Sequence, residues 1–504
     1  MILLLVAASR LDFQMTAINP GDNPFRRDYW TGGIDARIAA LFRIALGLVL
    51  ISDLADRLRD LFTFFTDLGV VPRGSLPGGA LLRWSIFNLT GRPGPTAVLF
   101  LLGFPIAIAF IVGYRTRAAT VLAWIYVCSM INRNSVICDG GDTVLRLLLF
   151  WSMFADLGAR FSADCRLGRR TPRDTVPAMA IRCIQLQIVM IYSFTFFAKS
   201  GSSWRDGTAV LRVLENMQWS RGLGPLLSHH PIVCKFLARG TLLVEGSFSL
   251  LVLSPWRPRL TRAIALLLGT ALHLGIFLTI RVGIFSLIMP ASYVVFSMPE
   301  WIDRAHTLLT RRPPAPVTDA PSVGRWAARR RAVQLAVLTL AFGPALVSQI
   351  LLARSWKVPR PLERWLTLLA LQQDWRMFSP DTPPAEVSWI APGFLVDGRA
   401  VEVIAAVAPG LGLPTGFVYT RWHKLGNNLV GQPENLLRGL GRYLCRRYNG
   451  DVAEPSRLDH FELALRVKPI VPPAPPTQTT YLRQRCLASP AHGVVQAGPP
   501  PPQR

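Results

Sequence analysis

Six polar side chains stand in sequence that is otherwise apolar: Arg43, Asp142, Arg146, Lys199, Glu245 and His273. An ionisable group taken out of water costs several kcal/mol unless it is paired or put to use, so each asks for a reason. Lys199 sits in FTFFAKSGSSWRDG. Shielded from water, its amine can serve as a base; at a membrane surface it would only extend its ammonium to the interface. Fifty of the 55 basic residues are Arg. A lysine at this point therefore stands out, because an always-charged guanidinium cannot take up a proton.

His273 lies mid-way through LLLGTALHLGIFLTIRVGIF. Its imidazole either makes a helix–helix hydrogen bond, worth about 0.6 kcal/mol, or binds a ligand oxygen and relays a proton. Glu245, in LLVEGSFSLL, needs a partner; Arg43 is one candidate, and the pair would then hold helices together. The loop NRNSVICDGGDTVLR carries Asp142 into a helix. Asp142 can orient a substrate, act as a favourable acid at a helix start, or pair with Arg146 one turn on.

These residues need elements to hold them, and composition says of what kind. The chain of 504 residues is 51% hydrophobic and 17% charged, with a mean hydropathy of +0.33. A soluble enzyme of this size carries about 25% charged residues. A bilayer core of about 30 Å needs about 20 apolar residues per helix. Nine stretches qualify, at roughly 36–54, 95–113, 117–132, 143–159, 178–198, 239–254, 262–280, 283–298 and 333–353. Arg and Lys concentrate in alternate loops, which places the N-terminus inside and, after nine spans, the C-terminus outside. The opening MILLLVAASR has no basic residue before its apolar run and is too short to span, so it reads as neither a signal peptide nor an anchor.

The net charge of +25 suggests nucleic acid at first sight. The Arg329-Arg330-Arg331 cluster abuts the ninth span, however, where anionic lipid headgroups account for it; no nucleic-acid partner is expected. Seven cysteines form no CxxC pair, so neither a zinc site nor a disulfide framework is expected. No phosphate-binding glycine loop, HExxH or GxSxG pattern occurs.

The fold expected is mainly α: a polytopic helix bundle of about nine spans with a small β-rich extramembrane C-terminal domain. The divisions are an N-terminal segment 1–35, a transmembrane domain 36–354, a β-rich domain 355–470 and a Pro-rich disordered tail 471–504. Within the β-rich part, Asp397-Gly398 between alternating runs signals a hairpin, residues 433–449 read as an amphipathic helix, and FELALRVKPI alternates as a strand.

Several segments resemble the HTTM family, and in particular the membrane domain of the vitamin K-dependent gamma-carboxylase. ALFRIALGLVLISDLADR, GYRTRAATVLAWIYV, FWSMFADLGARFSAD, IYSFTFFAKSGSSWRDGTA and ALHLGIFLTIRVGIFSLIMP carry the likeness in order, and MPEWIDR and QQDWRMFSP extend it downstream. It covers roughly residues 36–305 well and 365–470 more weakly. The resemblance implies that Lys199, by its spacing to Trp204, is the amine that deprotonates a reduced vitamin K-type quinol. His273 matches a second site residue, and Asp142 would help orient the substrate. Where the carboxylase has a histidine before the fourth span, this chain reads CDGGD, and no His lies between 50 and 228. The expectation is a lyase-like membrane enzyme that oxidises a lipid-soluble quinol, with or without carboxylation, using no metal, among membrane lipids and a lipophilic substrate. The rival expectation is a non-catalytic scaffold, lipid-binding or transport protein. Convergence of Lys199, His273 and Asp142 on one cavity discriminates the two.

Overall fold

A computed structural model describes residues 23–75, 84–311, 325–412, 421–450 and 452–487. The N-terminal apolar run, the last residues of the tail and the side chains of Arg329–Arg331 lie outside the described residues.

The molecule is mainly helical. A short strand β1 (Gly33–Asp35) leads into helix α1 (Ala36–Leu58), whose first turn Asp35 caps through the Arg37 amide at 2.8 Å. Then come α2 (Pro93–Leu101), running on into α3 (Gly103–Val112), α4 (Thr116–Arg133) and α5 (Gly140–Ser152). Strand β2 (Thr175–Pro177) pairs antiparallel with β1 and fixes the starts of α1 and α6 (Met179–Ala198) side by side. Helices α7 (Pro231–Val252), α8 (Pro258–Thr279), α9 (Phe285–Ser292) and α10 (Arg325–Ala353) complete the bundle.

Among the described residues, four helices are long and apolar enough to cross a membrane: Ala36–Leu58, Pro93–Val112, Met179–Ala198 and Pro258–Thr279. These four are among the nine stretches expected. Helix α5 shows why length and composition part company: it has 13 residues and packs Val144, Leu145, Leu147, Leu148 and Trp151 at 0% exposure. A helix buried on all sides is apolar without needing to match a bilayer. Gly141 in its first turn allows the close approach, since a Cβ there would lie 2.6 Å from the Phe285 backbone nitrogen.

The C-terminal part carries β3 (Ala385–Ile390), β4 (Pro392–Leu395), β5 (Ala400–Glu402), α11 (Arg421–Leu429), α12 (Glu434–Asn449), β6 (Leu458–Pro469) and β7 (Thr477–Arg485). The sheet order is β3-β6-β4-β5, with β7 along the other side of β6. The Asp397-Gly398 turn joins β4 to β5, with Gly398 at φ +81°. Helix α12 lays Leu436, Leu440 and Leu444 against the sheet. Two expectations are corrected here. The sheet continues into the segment assigned to a disordered tail: TQTTYLRQR forms β7, an edge strand held by backbone pairing with one wholly inward residue, Leu482, so its hydrophobic signal is faint. A disulfide also joins Cys445 on α12 to Cys486 just after β7, with Cα atoms 5.1 Å apart. Two cysteines separated by 41 positions give no spacing signal; only the packing of β7 beside α12 brings them together.

One ion cluster ties the two parts together. Arg421 reaches from α11 into the bundle, where Nη1 lies 2.7 Å from Asp142 and Nη2 bonds Asp53. Arg57 completes the cluster, with Nε 2.8 Å from Asp53 and Nη2 on Asp142. All four side chains are 1% exposed. Two acids and two guanidiniums offset one another, so removing one member strands the rest. We expect Arg421→Met to destabilise the protein by about 3–5 kcal/mol, read from thermal or chemical unfolding in detergent; a melt matching the parent would show that Asp53 and Asp142 do not rely on this partner.

Candidate functional site

The end of α6 sets one face. Tyr192, Thr195 and Lys199 follow at helical spacing, and α6 closes at Lys199, whose backbone amide bonds the Phe196 carbonyl at 3.1 Å. The chain then turns through Gly201 into a short helix, Ser202–Asp206, whose start is capped by Asp381: the Ser203 amide and hydroxyl each lie 2.7 Å from Oδ1. A Cβ on Gly201 would lie 2.2 Å from that carboxylate, so the turn admits no side chain. Hydrogen bonds from Ser203 hold the Asp381 carboxyl below its ordinary range.

The Lys199 side chain is 3% exposed and does not extend to solvent. Its Nζ lies 2.9 Å from each carboxylate oxygen of Glu245 on α7, 3.4 Å from the Thr195 carbonyl and 5.1 Å from the centre of the Trp204 ring. Trp204 is itself fixed by a 2.7 Å hydrogen bond from Nε1 to the Phe378 carbonyl. From α8, His273 brings Nε2 to 3.1 Å from the Tyr192 hydroxyl, which also hydrogen-bonds Tyr293. His273 Nδ1 and Thr195 Oγ1 are buried and have no protein hydrogen-bond partner among the described residues.

These groups line a cavity of about 650 Å³. Tyr192, Thr195, Lys199, Trp204, Glu245 and His273 contribute its polar groups, and Val213, Leu272, Ile276, Phe285 and Met289 its apolar wall. Asp139, Thr241 and Arg281 also line it, and a further part of the wall comes from beyond the bundle: Asp374, Arg376–Pro384, and His423 and Lys424 of α11. His423 rests edge-on against Trp219, ring centres 5.2 Å apart, with Nε2 3.3 Å from the Asn427 side-chain nitrogen. Burial pushes its imidazole down to about 3, with the nearby Arg281 and Lys424 charges adding to the effect.

The structure therefore brings Lys199, His273, Glu245 and Trp204 together and leaves the other expected residues elsewhere. Asp142 is not on the cavity wall. It closes a capping box with Asp139 and belongs to the Arg57–Arg421 cluster, and its neighbours Asp139 and Gly140 line the cavity instead. The suggested Asp142–Arg146 pair does not form, because Arg146 turns to the Gln372 carbonyl. Nor does Glu245 pair with Arg43: that guanidinium binds the Ile111, Leu157 and Phe161 carbonyls, bracing the end of α3. Three lining groups were missed from sequence. Tyr192 signals itself only by sharing a helix face with Lys199, and Asp381 and His423 lie in polar sequence where single residues attract no notice.

The HTTM domain matches residues 33–301, more than half of the chain. With that match and a bundle holding four membrane-crossing candidates, this is a membrane protein that belongs to the HTTM domain family, and its likeness to the gamma-carboxylase membrane domain follows from that membership. No curated protein and no solved structure matches the chain.

His423 carries a pH signature. Its folded value of about 3 lies below the ordinary 6.5, so in between the unfolded chain takes up a proton that the folded one refuses. Its contribution to stability is thus intact above 6.5 and declines as pH falls toward 3. Melting curves of the parent and His423→Gln recorded from pH 7 to 4 are expected to converge as pH falls; parallel curves would refute the assignment.

Proposed function

We propose that this protein is a membrane enzyme that oxidises a lipid-soluble quinol, with Lys199 as the base. The observation that carries the reading is the meeting of a buried amine–carboxylate pair and an unpartnered imidazole nitrogen on one largely apolar cavity. A reduced vitamin K-type quinol suits it: the apolar wall accommodates a ring system, with the polar Thr195 and His273 beside it. Lys199 takes a proton from a quinol hydroxyl, and Glu245 beside it offsets the charge the amine gains. Bound and deprotonated, the quinol supplies the redox chemistry, its two electrons passing to dioxygen. His273 orients the substrate, and Trp204 and the Phe378 segment exclude water from the amine. Carboxylation of a second substrate has less support, since CDGGD stands where the resemblance calls for a histidine. In the orientation we favour, the N-terminus is cytoplasmic and the C-terminal domain outside; the loop arginines and the Cys445–Cys486 disulfide, which suits an oxidising compartment, both support it.

Menaquinol oxidation by protein reconstituted in liposomes tests the proposal. Lys199→Ala is expected to lower the rate about 100-fold or more, and an unchanged rate would overturn Lys199 as base.

The Lys199–Glu245 pair also favours a second reading, in which it only fastens α6 to α7 in a non-catalytic lipid-binding scaffold. Lys199→Met alone leaves a carboxylate buried without its cation, and is expected to cost about 3–5 kcal/mol. Lys199→Met with Glu245→Leu should recover most of that stability. A double variant that regains stability, together with a parent protein that turns over no quinol, would favour the scaffold.

A further inference from the structure

The turn that follows Lys199 is seated on a strap of chain from beyond the bundle, residues 378–382. The Gly201 amide donates to the Pro380 carbonyl at 3.0 Å, and Trp204 Nε1 donates to the Phe378 carbonyl at 2.7 Å. Between them, the Ser203 amide and hydroxyl each donate to Asp381 Oδ1 at 2.7 Å, and the Ser203 hydroxyl oxygen accepts from the Thr382 amide at 3.3 Å. The directions are fixed. A backbone amide only donates and an ionised carboxylate only accepts, so the single Ser203 hydroxyl hydrogen points to Asp381.

The strap is thin. Pro380 and Pro384 are exposed on its outside, while Thr382 is buried, 2% exposed. Inside it, Trp204 is 5% exposed and its ring centre lies 5.1 Å from Lys199 Nζ, within reach of a cation–π attraction. Two links across the seam use backbone carbonyls of the strap, which any sequence supplies. Among the described residues, Asp381 is the only strap side chain hydrogen-bonded to the turn. Gly201 lets its carboxylate close in, since a Cβ there would collide with it.

We infer that Asp381 is a positioning residue for Lys199: by tying Ser203 to the strap it holds Trp204 over the amine and keeps water out, without touching the amine itself. Removing Asp381 leaves the Ser203 amide and hydroxyl with no carboxylate to bond, loosens Trp204 with them, and opens the amine to solvent. An amide in place of the carboxylate keeps the accepting oxygen, and Asn caps a helix start about as well as Asp. The shielding stands whatever the cavity binds. That the shielded amine acts as a base rests on the quinol reading above.

The chain has five lysines, so the shielding can be read residue by residue. Full-length protein in lipid nanodiscs is treated with formaldehyde and a borane reductant, and methylation of each lysine is followed by mass spectrometry of its peptides. Exposed Lys235 is the internal standard. In the parent, Lys199 is expected to react about tenfold or more slowly than Lys235; equal rates overturn the shielding. Asp381→Ala is expected to speed Lys199 about tenfold relative to Lys235, and Asp381→Asn to keep the parent's rate. An unchanged Lys199 rate in Asp381→Ala overturns the inference. So does an Asn variant as reactive as the Ala variant, because the accepting oxygen would then not be the feature that matters. A matching rise at Lys424, the half-buried lysine of α11, marks general loosening and overturns the positioning role. Should Asp381→Ala not fold, Ser203→Ala decides: it keeps the amide bond to Asp381 and loses the hydroxyl, a rise of about threefold is expected, and no rise overturns the inference. No quinol enters this assay, so its outcome is separate from that of the turnover experiment.

Discussion

Arg421 is the contact on which the cavity depends. A guanidinium from the C-terminal part enters the bundle and is neutralised by Asp53 and Asp142, which Arg57 shares. The two acids sit on different helices, α1 and α5, and neither is tolerable so far from water without both cations. The cluster therefore does three things together. It seats α11, so that His423 and Lys424 meet the cavity; it pins the start of α5, where Asp139 and Gly140 line the same space; and it anchors the first helix of the bundle. Asp142 is bound up in that task, which is why it is not available to a substrate.

The second buried pair, Lys199 with Glu245, is of another kind. It lies on the cavity wall, and the neighbouring Thr195 and His273 each keep a polar atom without a protein partner. The Arg421 cluster joins the C-terminal part to the bundle, whereas the Lys199–Glu245 pair joins two helices of the bundle on the wall of the cavity.

Much of this was legible in the amino-acid order. Long apolar runs located the helices, the Asp-Gly turn located a hairpin, and the Leu436–Leu444 periodicity located α12. Lys199, Glu245 and His273 stood out because a polar residue inside an apolar run is conspicuous. Their partners were less visible. Pairing depends on which helix faces meet, and sequence neighbours suggested Arg146 for Asp142 and Arg43 for Glu245, while the fold chose Arg421 from 279 positions away and Lys199 from 46. The span count is hard to read for a related reason: a helix such as α5, enclosed by protein, looks as apolar as one enclosed by lipid. The strand β7 and the cysteine pair were hidden because backbone pairing and a contact across 41 residues leave no local pattern.

The wall formed by residues 374–384 and α11 has a consequence for how the working unit is delimited. The family match ends at residue 301, yet a share of the chamber's lining is encoded beyond it. A stretch of chain trimmed to the shared domain would keep the amine and the imidazole but open their surroundings to water. The cavity is thus built from a longer stretch of chain than the one the family match spans.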